Sequence, residues 1–259
     1  MKPFMLPGLV VALRLLSSAA LAQSSEFTES EQLRTSGTLR RQQQEVDPER
    51  VAERIVNSTN EFREQHELQA VTTNAELQDT AKYFAEFMAM NEEYGHRADG
   101  NRPADRAEEH GYEYCIVLEN IAYQYSSRGF TAKELARAFQ RSWEQSPGHR
   151  TNMLDPDIFE TGVAIAQSES GYFYAVQMFG RPKSEQIEFE ISNETSEEAM
   201  YDLGGKQYRL PPRSTRIHYR CRPAELVVEL ADDESESLIP KHGDKLTIAE
   251  QDGKLSVRR

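Results

Sequence analysis

The sequence predicts an α+β fold in which helices precede strands. Between residues 48 and 154, apolar residues recur every three or four positions, which is the spacing of amphipathic helices. From residue 162 onward, short apolar runs bounded by turn residues replace that pattern, and after residue 185 apolar and polar residues alternate as in half-buried strands. Because helices and strands are segregated along the chain, we expect the strands to form antiparallel sheets.

Helices are predicted where a capping residue precedes a stripe of apolar side chains. Asp47 and Pro48 form such a start, and Thr131 with Glu134 forms a capping box. A short helix is also expected over residues 102–112. The apolar stripes of the three longer helices are Val51, Ile55 and Phe62; Leu77, Ala81, Phe84, Ala85 and Met88; and Leu135, Phe139 and Trp143.

The segment 143–154 predicts a sharp corner between two helices. Ser146 followed by Pro147 is a helix-start signal, with the hydroxyl as the expected cap and proline at the first helical position. His149 then falls in the first turn, where the helix dipole favours the neutral imidazole that accepts a proton or binds a metal. The alternative interpretation is an ordinary hydrogen-bonded histidine at a surface corner.

Strands are predicted over residues 162–166 and 172–179, joined by a turn at 168–171. Arg181-Pro182-Lys183 marks a boundary, after which about seven short strands predict a small β-sandwich or barrel. Gly204-Gly205 and Asp252-Gly253 are hairpin signals. The alternating apolar positions of this part are Ile187, Phe189, Ile191, Tyr208, Leu210, Ile217, Tyr219, Leu226, Val228 and Leu230. We expect an interaction or spacer module here, with a protein partner that the sequence does not identify.

The charge of the chain excludes some classes of partner. With 30 basic and 43 acidic residues among 259, the net charge is −13. Such an acidic chain is not expected to bind nucleic acid or an anionic membrane surface.

The first 22 residues have the pattern of a signal peptide. Lys2 supplies a positive start, residues 4–16 are mostly apolar although Arg14 interrupts them, and Ala20-Leu21-Ala22 is a small-x-small cleavage site. We expect cleavage after Ala22 and export to the extracellular space or the periplasm, with no transmembrane segment in the mature chain. Residues 23–47 are polar and lack apolar periodicity, so they are predicted to be a flexible linker.

The chain contains two cysteines, Cys115 and Cys221. They are about a hundred positions apart and neither belongs to a Cys-x-x-Cys pair. They form either one bridge between distant segments or two buried thiols, and an exported compartment permits the bridge without requiring it.

The common local signatures of serine hydrolases, dinucleotide-binding proteins and zincins are missing from the sequence. His96, Glu119 and His149 remain as candidates, because each lies at the edge of a predicted element. Two imidazoles and a carboxylate that converge on one cavity can bind a divalent ion with an open coordination position, or act as an acid–base pair. The alternative is three unrelated polar side chains.

The region from about Val51 to Gly180 resembles the CAP superfamily (cysteine-rich secretory proteins, antigen 5 and pathogenesis-related 1; SCP domain), in its compact bacterial secreted form. The matching motifs occur in the family's order along the chain. They are Asn60-x-x-Arg63, the Leu77/Ala81 helix, His96-x-x-Asp99-Gly100, Glu119-Asn120-Ile121-Ala122, Ser146-Pro147-Gly148-His149-Arg150-x-Asn152-x-Leu154, Gly162-Val163-Ala164 and Gln177-x-Phe179-Gly180.

The resemblance implies an α–β–α sandwich with a central antiparallel sheet over residues 48–182, followed by the small all-β domain at 185–259. It also implies a cleft in which His96, Glu119 and His149 match the first histidine, the first glutamate and the second histidine of the family. Ser146 stands where the fuller pattern has a second glutamate, and Glu144 points about 200° away from it on a helix. Leu118 replaces the glycine that usually precedes the Glu-Asn pair.

Given this resemblance, we expect a secreted binding module without catalytic turnover. Its His/Glu cleft would hold Zn²⁺ or another divalent cation through His96, His149 and Glu119, or a small molecule, lipid or envelope component. One alternative is a metal- or histidine-dependent hydrolase, peptidase-like, in which the same three residues are catalytic. Another is a structural cell-envelope protein with a vestigial cleft.

Overall fold

The computed structural model of the protein describes residues 46–229, 235–251 and 254–259. The predicted signal peptide, residues 23–45 of the predicted linker, Leu230 and the predicted Asp252-Gly253 turn lie outside these ranges. Over the described residues, no helix has both the length and the apolar character needed to cross a bilayer.

In the described part of the chain, the helices are α1 (Pro48–Glu64), α2 (Ala75–Asn91), α3 (Pro103–Glu109), α4 (Ala132–Gln145) and α5 (Pro147–Met153). The first four strands are β1 (Thr72–Thr73), β2 (Tyr114–Gln124), β3 (Glu160–Gln167) and β4 (Phe173–Pro182). A 3₁₀ turn, Lys183–Glu185, separates them from β5 (Ile187–Asn193), β6 (Ala199–Leu203), β7 (Gln207–Leu210), β8 (Thr215–Arg220), β9 (Leu226–Glu229), β10 (Ser235–Leu238), β11 (Lys245–Gln251) and β12 (Lys254–Arg258).

The first sheet has the strand order β1-β3-β4-β2, in which β1 runs parallel to β3 and the other pairs are antiparallel. Side chains of α1, α4 and α5, including Ile55 and Phe139, form a core on one face, and those of α2 and α3, including Phe84, form a core on the other. Val163 and its neighbour Ala164 belong to opposite cores, as strand geometry requires. These layers confirm the predicted α–β–α sandwich with a mainly antiparallel sheet.

Gly162 brings a helix unusually close to this sheet. A Cβ atom at position 162 would lie only 2.2 Å from the backbone carbonyl carbon of Leu77 in α2. Since no side chain fits in that gap, the absence of a Cβ lets α2 lie directly on β3.

The helices begin largely where the capping signals predict. Asp47 accepts a hydrogen bond from the Arg50 amide at 3.1 Å, and Thr131 and Glu134 form the expected capping box. The prediction of a hydroxyl cap at Ser146 was wrong: α5 starts at the expected place, but the Ser146 side chain makes no capping bond. Its backbone carbonyl accepts from the Arg150 amide at 2.8 Å, so the turn and Pro147 alone are sufficient to start this short helix.

The remaining described strands form two four-stranded sheets, ordered β10-β9-β6-β7 and β12-β11-β5-β8. Phe189 from one sheet and Tyr201 and Val228 from the other share a single core, which confirms the predicted β-sandwich. The β6–β7 hairpin turns at Gly204 and Gly205, whose φ angles of +61° and +83° are those that the predicted turn requires.

In strand β8, the alternation of buried and exposed side chains is the opposite of the one that the sequence predicts. Ile217 and Tyr219 are exposed, and the residue buried between them is His218. His218 Nε2 lies 2.7 Å from the Tyr201 hydroxyl oxygen, and its ring stacks on Phe189 at 5.1 Å between centroids. Burial and, secondarily, nearby positive charges lower the pKa of His218. His218 is therefore buried in the core at a position that the alternation of apolar residues predicted to be exposed to solvent.

A disulfide joins Cys115 in β2 to Cys221, just after β8, with their Cα atoms 5.2 Å apart. Of the two arrangements open from sequence, the single bridge is the one that forms. Arg222, the next residue, donates hydrogen bonds to the Asp155 carboxylate at 2.8 and 2.6 Å and to Asp157 at 2.8 Å. The β-sandwich is thus fastened covalently to β2 and ionically to the loop that follows α5.

Candidate functional site

The three predicted site residues come from three different elements. His96 lies in the loop after α2, Glu119 in the middle of β2, and His149 in the first turn of α5. The two imidazole centroids are 6.2 Å apart. The side chain of His96 is 49% exposed whereas that of Glu119 is 1% exposed, so the carboxylate lies behind the imidazole.

Glu119 orients His96 by a direct hydrogen bond. His96 Nδ1 lies 2.7 Å from Glu119 Oε1. Because a carboxylate accepts this hydrogen bond, the neutral imidazole of His96 has its proton on Nδ1 and its lone pair on Nε2. This carboxylate–imidazole pairing is the one that fixes the ring and tautomer of histidines that bind metals.

Arg106, which the sequence did not single out, holds Glu119 from the other side. Its Nη2 lies 2.6 Å from Glu119 Oε2, and its Nη1 lies 2.8 Å from Asp99 Oδ1. The guanidinium is fully buried and lies 3.5 Å from the centroid of the Phe84 ring. Arginines are rarely buried, and the only sequence signal for this one was Asp99, which belongs to the His96 motif. Arg106 thus places a buried cation directly beside the Glu119 carboxylate.

Burial lowers the pKa of His149, and the nearby His96 adds to the effect, while Glu119 opposes it. The environment of His149 therefore favours its neutral imidazole near pH 7, as the sequence suggested. The cause is desolvation of the ring.

Two asparagines fix α5 against β2. Asn120 Nδ2 donates to the His149 carbonyl at 3.2 Å, and Asn152 Nδ2 donates to Asn120 Oδ1 at 3.0 Å and to the Glu119 carbonyl at 3.1 Å. Both residues belong to motifs quoted above, although neither was proposed for the site. They set the distance between the strand that carries Glu119 and the helix that carries His149.

The two sequence departures do not disturb this geometry. Leu118 pairs with Phe179 in an unbroken part of the β2–β4 ladder, so Glu119 has a regular strand position. Glu144 accepts a hydrogen bond from Gln140 at 2.8 Å within α4. This agrees with leaving Glu144 out of the cleft.

Two imidazoles are donors that a divalent cation accepts. Zn–N bonds of about 2.0–2.1 Å at tetrahedral angles place two ring centroids about 5 Å apart, so the rings of His96 and His149, at 6.2 Å, would have to move closer to share one ion. Both Glu119 oxygens already bond to protein groups, and no group of three or more His, Cys, Asp or Glu side chains is placed to hold a metal within the described ranges. The metal set His96, His149 and Glu119 stays a prediction.

Residues 56–179 match the family described as "CAP: Cysteine-rich secretory protein family". The uncharacterized protein YkwD of Bacillus subtilis (strain 168) is 27% identical over 129 residues, which are 49% of this chain and 46% of that protein. The matched region thus spans about half the length of this curated relative.

Two solved structures were also found to be similar. An outer surface protein of Borrelia burgdorferi is 19% identical with a TM-score of 0.46, and the match covers 53% of this chain and 97% of that one. An extracellular protein of Bacillus anthracis str. Ames that contains a SCP domain is 23% identical with a TM-score of 0.43, over 52% of this chain and 41% of that one.

Proposed function

Since residues 56–179 of this chain form a domain of the CAP superfamily, we propose that the protein is an exported, non-catalytic binding module whose cleft holds a divalent cation between His96 and His149. The cation would be bound by the two imidazoles, and it would supply a Lewis-acidic position for an oxygen or nitrogen atom of a further ligand.

The observation that carries this proposal is the hydrogen-bonded row Arg106–Glu119–His96, in which the first two side chains are buried. Burying a carboxylate and a guanidinium costs several kcal/mol per ion before pairing, so such pairs contribute little net stability. Here the pair ends on a half-exposed imidazole whose Nε2 lone pair is free. Stability of the fold does not account for this arrangement. A role of Glu119 in orienting the His96 imidazole toward a ligand accounts for it better.

The binding role is favoured over hydrolysis because of how Glu119 is used. A hydrolase of the predicted kind needs a histidine that acts as the base and a carboxylate, Glu119, that orients a water molecule or a metal. Oε1 of Glu119 accepts from His96 and Oε2 accepts from Arg106.

Export is supported by two independent features. The first 22 residues have the composition of a cleavable signal peptide. The Cys115–Cys221 disulfide belongs in an oxidising compartment.

Calorimetric titration with Zn²⁺ tests the proposal. Wild type is compared with His96→Ala/His149→Ala and with the control His66→Ala/His242→Ala, which removes two exposed histidines elsewhere. We expect one site in wild type and in the control, and loss of its heat in the cleft variant. Equal heats in all three proteins would refute the metal cleft.

A second assay addresses hydrolysis. Wild type and Glu119→Ala are incubated with a peptide library, and the products are identified by mass spectrometry. We expect no cleavage by either protein. Cleavage by wild type that Glu119→Ala abolishes would establish the peptidase alternative instead.

A further inference from the structure

Beside the cleft, the surface carries a row of four exposed tyrosines, Tyr94, Tyr123, Tyr172 and Tyr125, which we call the tyrosine face. Their exposed fractions are 47, 50, 36 and 54% in that order. Consecutive ring centroids lie 4.9, 6.0 and 4.9 Å apart, so the rings form a continuous surface. Large side chains exposed side by side in this way are a mark of an interaction site.

The strands of the first sheet position these rings. Tyr123 lies in β2 and pairs across the sheet with the buried Tyr174 of β4. Tyr125 follows the end of β2 and Tyr172 precedes the start of β4, and the contacts of the Tyr172 ring with Tyr123 and Tyr125 place these three rings side by side. Tyr94 follows α2 and packs edge-on against Tyr123. The rings are therefore held in place before any ligand arrives.

The chemistry of this surface suits a sugar ring. A tyrosine ring has a flat apolar face that carries negative charge density, and a hydroxyl at its edge. The C–H face of a pyranose is apolar with slightly positive hydrogens, and hydroxyl groups surround it. Tyrosine also loses little conformational entropy on contact because its side chain has few rotatable bonds.

Polar groups border the rings where sugar hydroxyls would need partners. The Ser170 hydroxyl donates to the Glu92 carboxylate and lies 3.0 Å from the Ser168 hydroxyl oxygen. Tyr172 donates its backbone amide to that same Ser168 oxygen at 3.2 Å. A Cβ on Gly171 would come to 3.8 Å from the Tyr125 ring, so this hairpin turn lies beside the tyrosine face.

The negative charge of the protein favours a neutral polymer over a polyanion as the ligand of the tyrosine face. The chain carries a net charge of −13, and the Glu92 carboxylate lies at this border, which together disfavour polyanions. In the part of the chain that the structure describes, the cation–π contacts involve other rings, such as Arg106 on Phe84, and leave these ring faces open. We infer that the tyrosine face binds a neutral polysaccharide, through stacking on its rings rather than through the imidazoles of His96 and His149.

Isothermal titration of the full chain with three neutral hexasaccharides, cellohexaose, chitohexaose and mannohexaose, tests this inference. At least one is expected to bind. Tyr125→Ala and Tyr172→Ala should each weaken that binding about three- to tenfold through loss of stacking, whereas Tyr125→Phe keeps the ring and most of the affinity. Tyr219→Ala is the control, because Tyr219 is 57% exposed in the β-sandwich.

The result is independent of the cation proposal, because His96→Ala/His149→Ala should bind the same hexasaccharide as wild type does. Unchanged melting temperatures show that the tyrosine variants fold. The inference is overturned if none of the three sugars binds at millimolar concentration, or if Tyr219→Ala weakens binding as much as Tyr125→Ala. Tyrosine-dependent capture of phosphatidylcholine vesicles without sugar binding would also overturn it.

Discussion

Arg106 and Glu119 form an ion pair that is closed to solvent, with Nη2 and Oε2 separated by 2.6 Å and both side chains at most 1% exposed. The same guanidinium also pairs with Asp99, whose side chain is equally buried. Two acidic groups and the orientation of His96 thus depend on one arginine.

Replacing Arg106 with methionine should destabilise the fold strongly. The side chain volume is roughly kept, but two buried carboxylates lose their cation, which costs about 3–5 kcal/mol in the free energy of unfolding. Urea denaturation of Arg106→Met and wild type measures this difference. Arg209→Met is the control, since Arg209 is exposed and lies 4.0 Å from Glu198. Similar midpoints for both variants would contradict the role given to Arg106.

Stability should fall when the pH drops below about 6.5, the ordinary pKa of histidine. His149 and His218 have lowered pKa values in the folded protein, chiefly through burial. The unfolded chain therefore takes up protons that the folded chain does not, and acid favours unfolding until the folded-state pKa is reached. Melting temperatures between pH 8 and pH 5 measure the effect. His149→Gln should flatten the decline, and an unchanged decline would speak against the lowered pKa of His149.

Loss of the disulfide should cost about 4–5 kcal/mol, because it closes a loop of roughly a hundred residues. The test is the free energy of unfolding of Cys115→Ser/Cys221→Ser. Reduced wild type should match the double variant, since the chain has only these two cysteines. A variant as stable as the oxidised protein would show that the contacts of Arg222 alone fasten the sandwich.

Gly162→Ala should be destabilising by about 1–3 kcal/mol or more, since the new methyl group overlaps the backbone of α2. The matched substitution is Gly148→Ala in α5, where a Cβ would meet nothing within 4 Å. At that helical position alanine is expected to be neutral or stabilising by about 0.5–1 kcal/mol. Thermal unfolding of both variants compares them, and equal effects would contradict the close approach at Gly162.

The parts of the fold that can be predicted from the sequence are those that depend on residues close together in the chain. The Thr131–Glu134 capping box joins residues three positions apart, and the stripe of Leu135, Phe139 and Trp143 fixes which side of α4 is buried. The order of helices and strands follows from such patterns together.

The parts that sequence reasoning missed depend on distant partners. Arg106 becomes a site residue only because β2 brings Glu119 to it, and His218 is buried only because Tyr201 from another sheet bonds to its ring. Whether Cys115 and Cys221 form a disulfide likewise depends on their distance in the folded chain, which the sequence does not give. Contacts between side chains of distant elements, and the burial that results from them, produce no periodic pattern in the sequence.

The Cys115–Cys221 bond also determines how the protein responds to mechanical force. If the chain is pulled from Val46 and Arg258, tension crosses the sulfur bridge and bypasses the 106-residue separation between the two cysteines. The extension released on unfolding is then shorter by about 350 Å than for the reduced chain, at about 3.3 Å per residue. Because His149 lies inside this covalent ring and His96 outside it, the His149 side of the cleft is shielded from the load that reaches the His96 side.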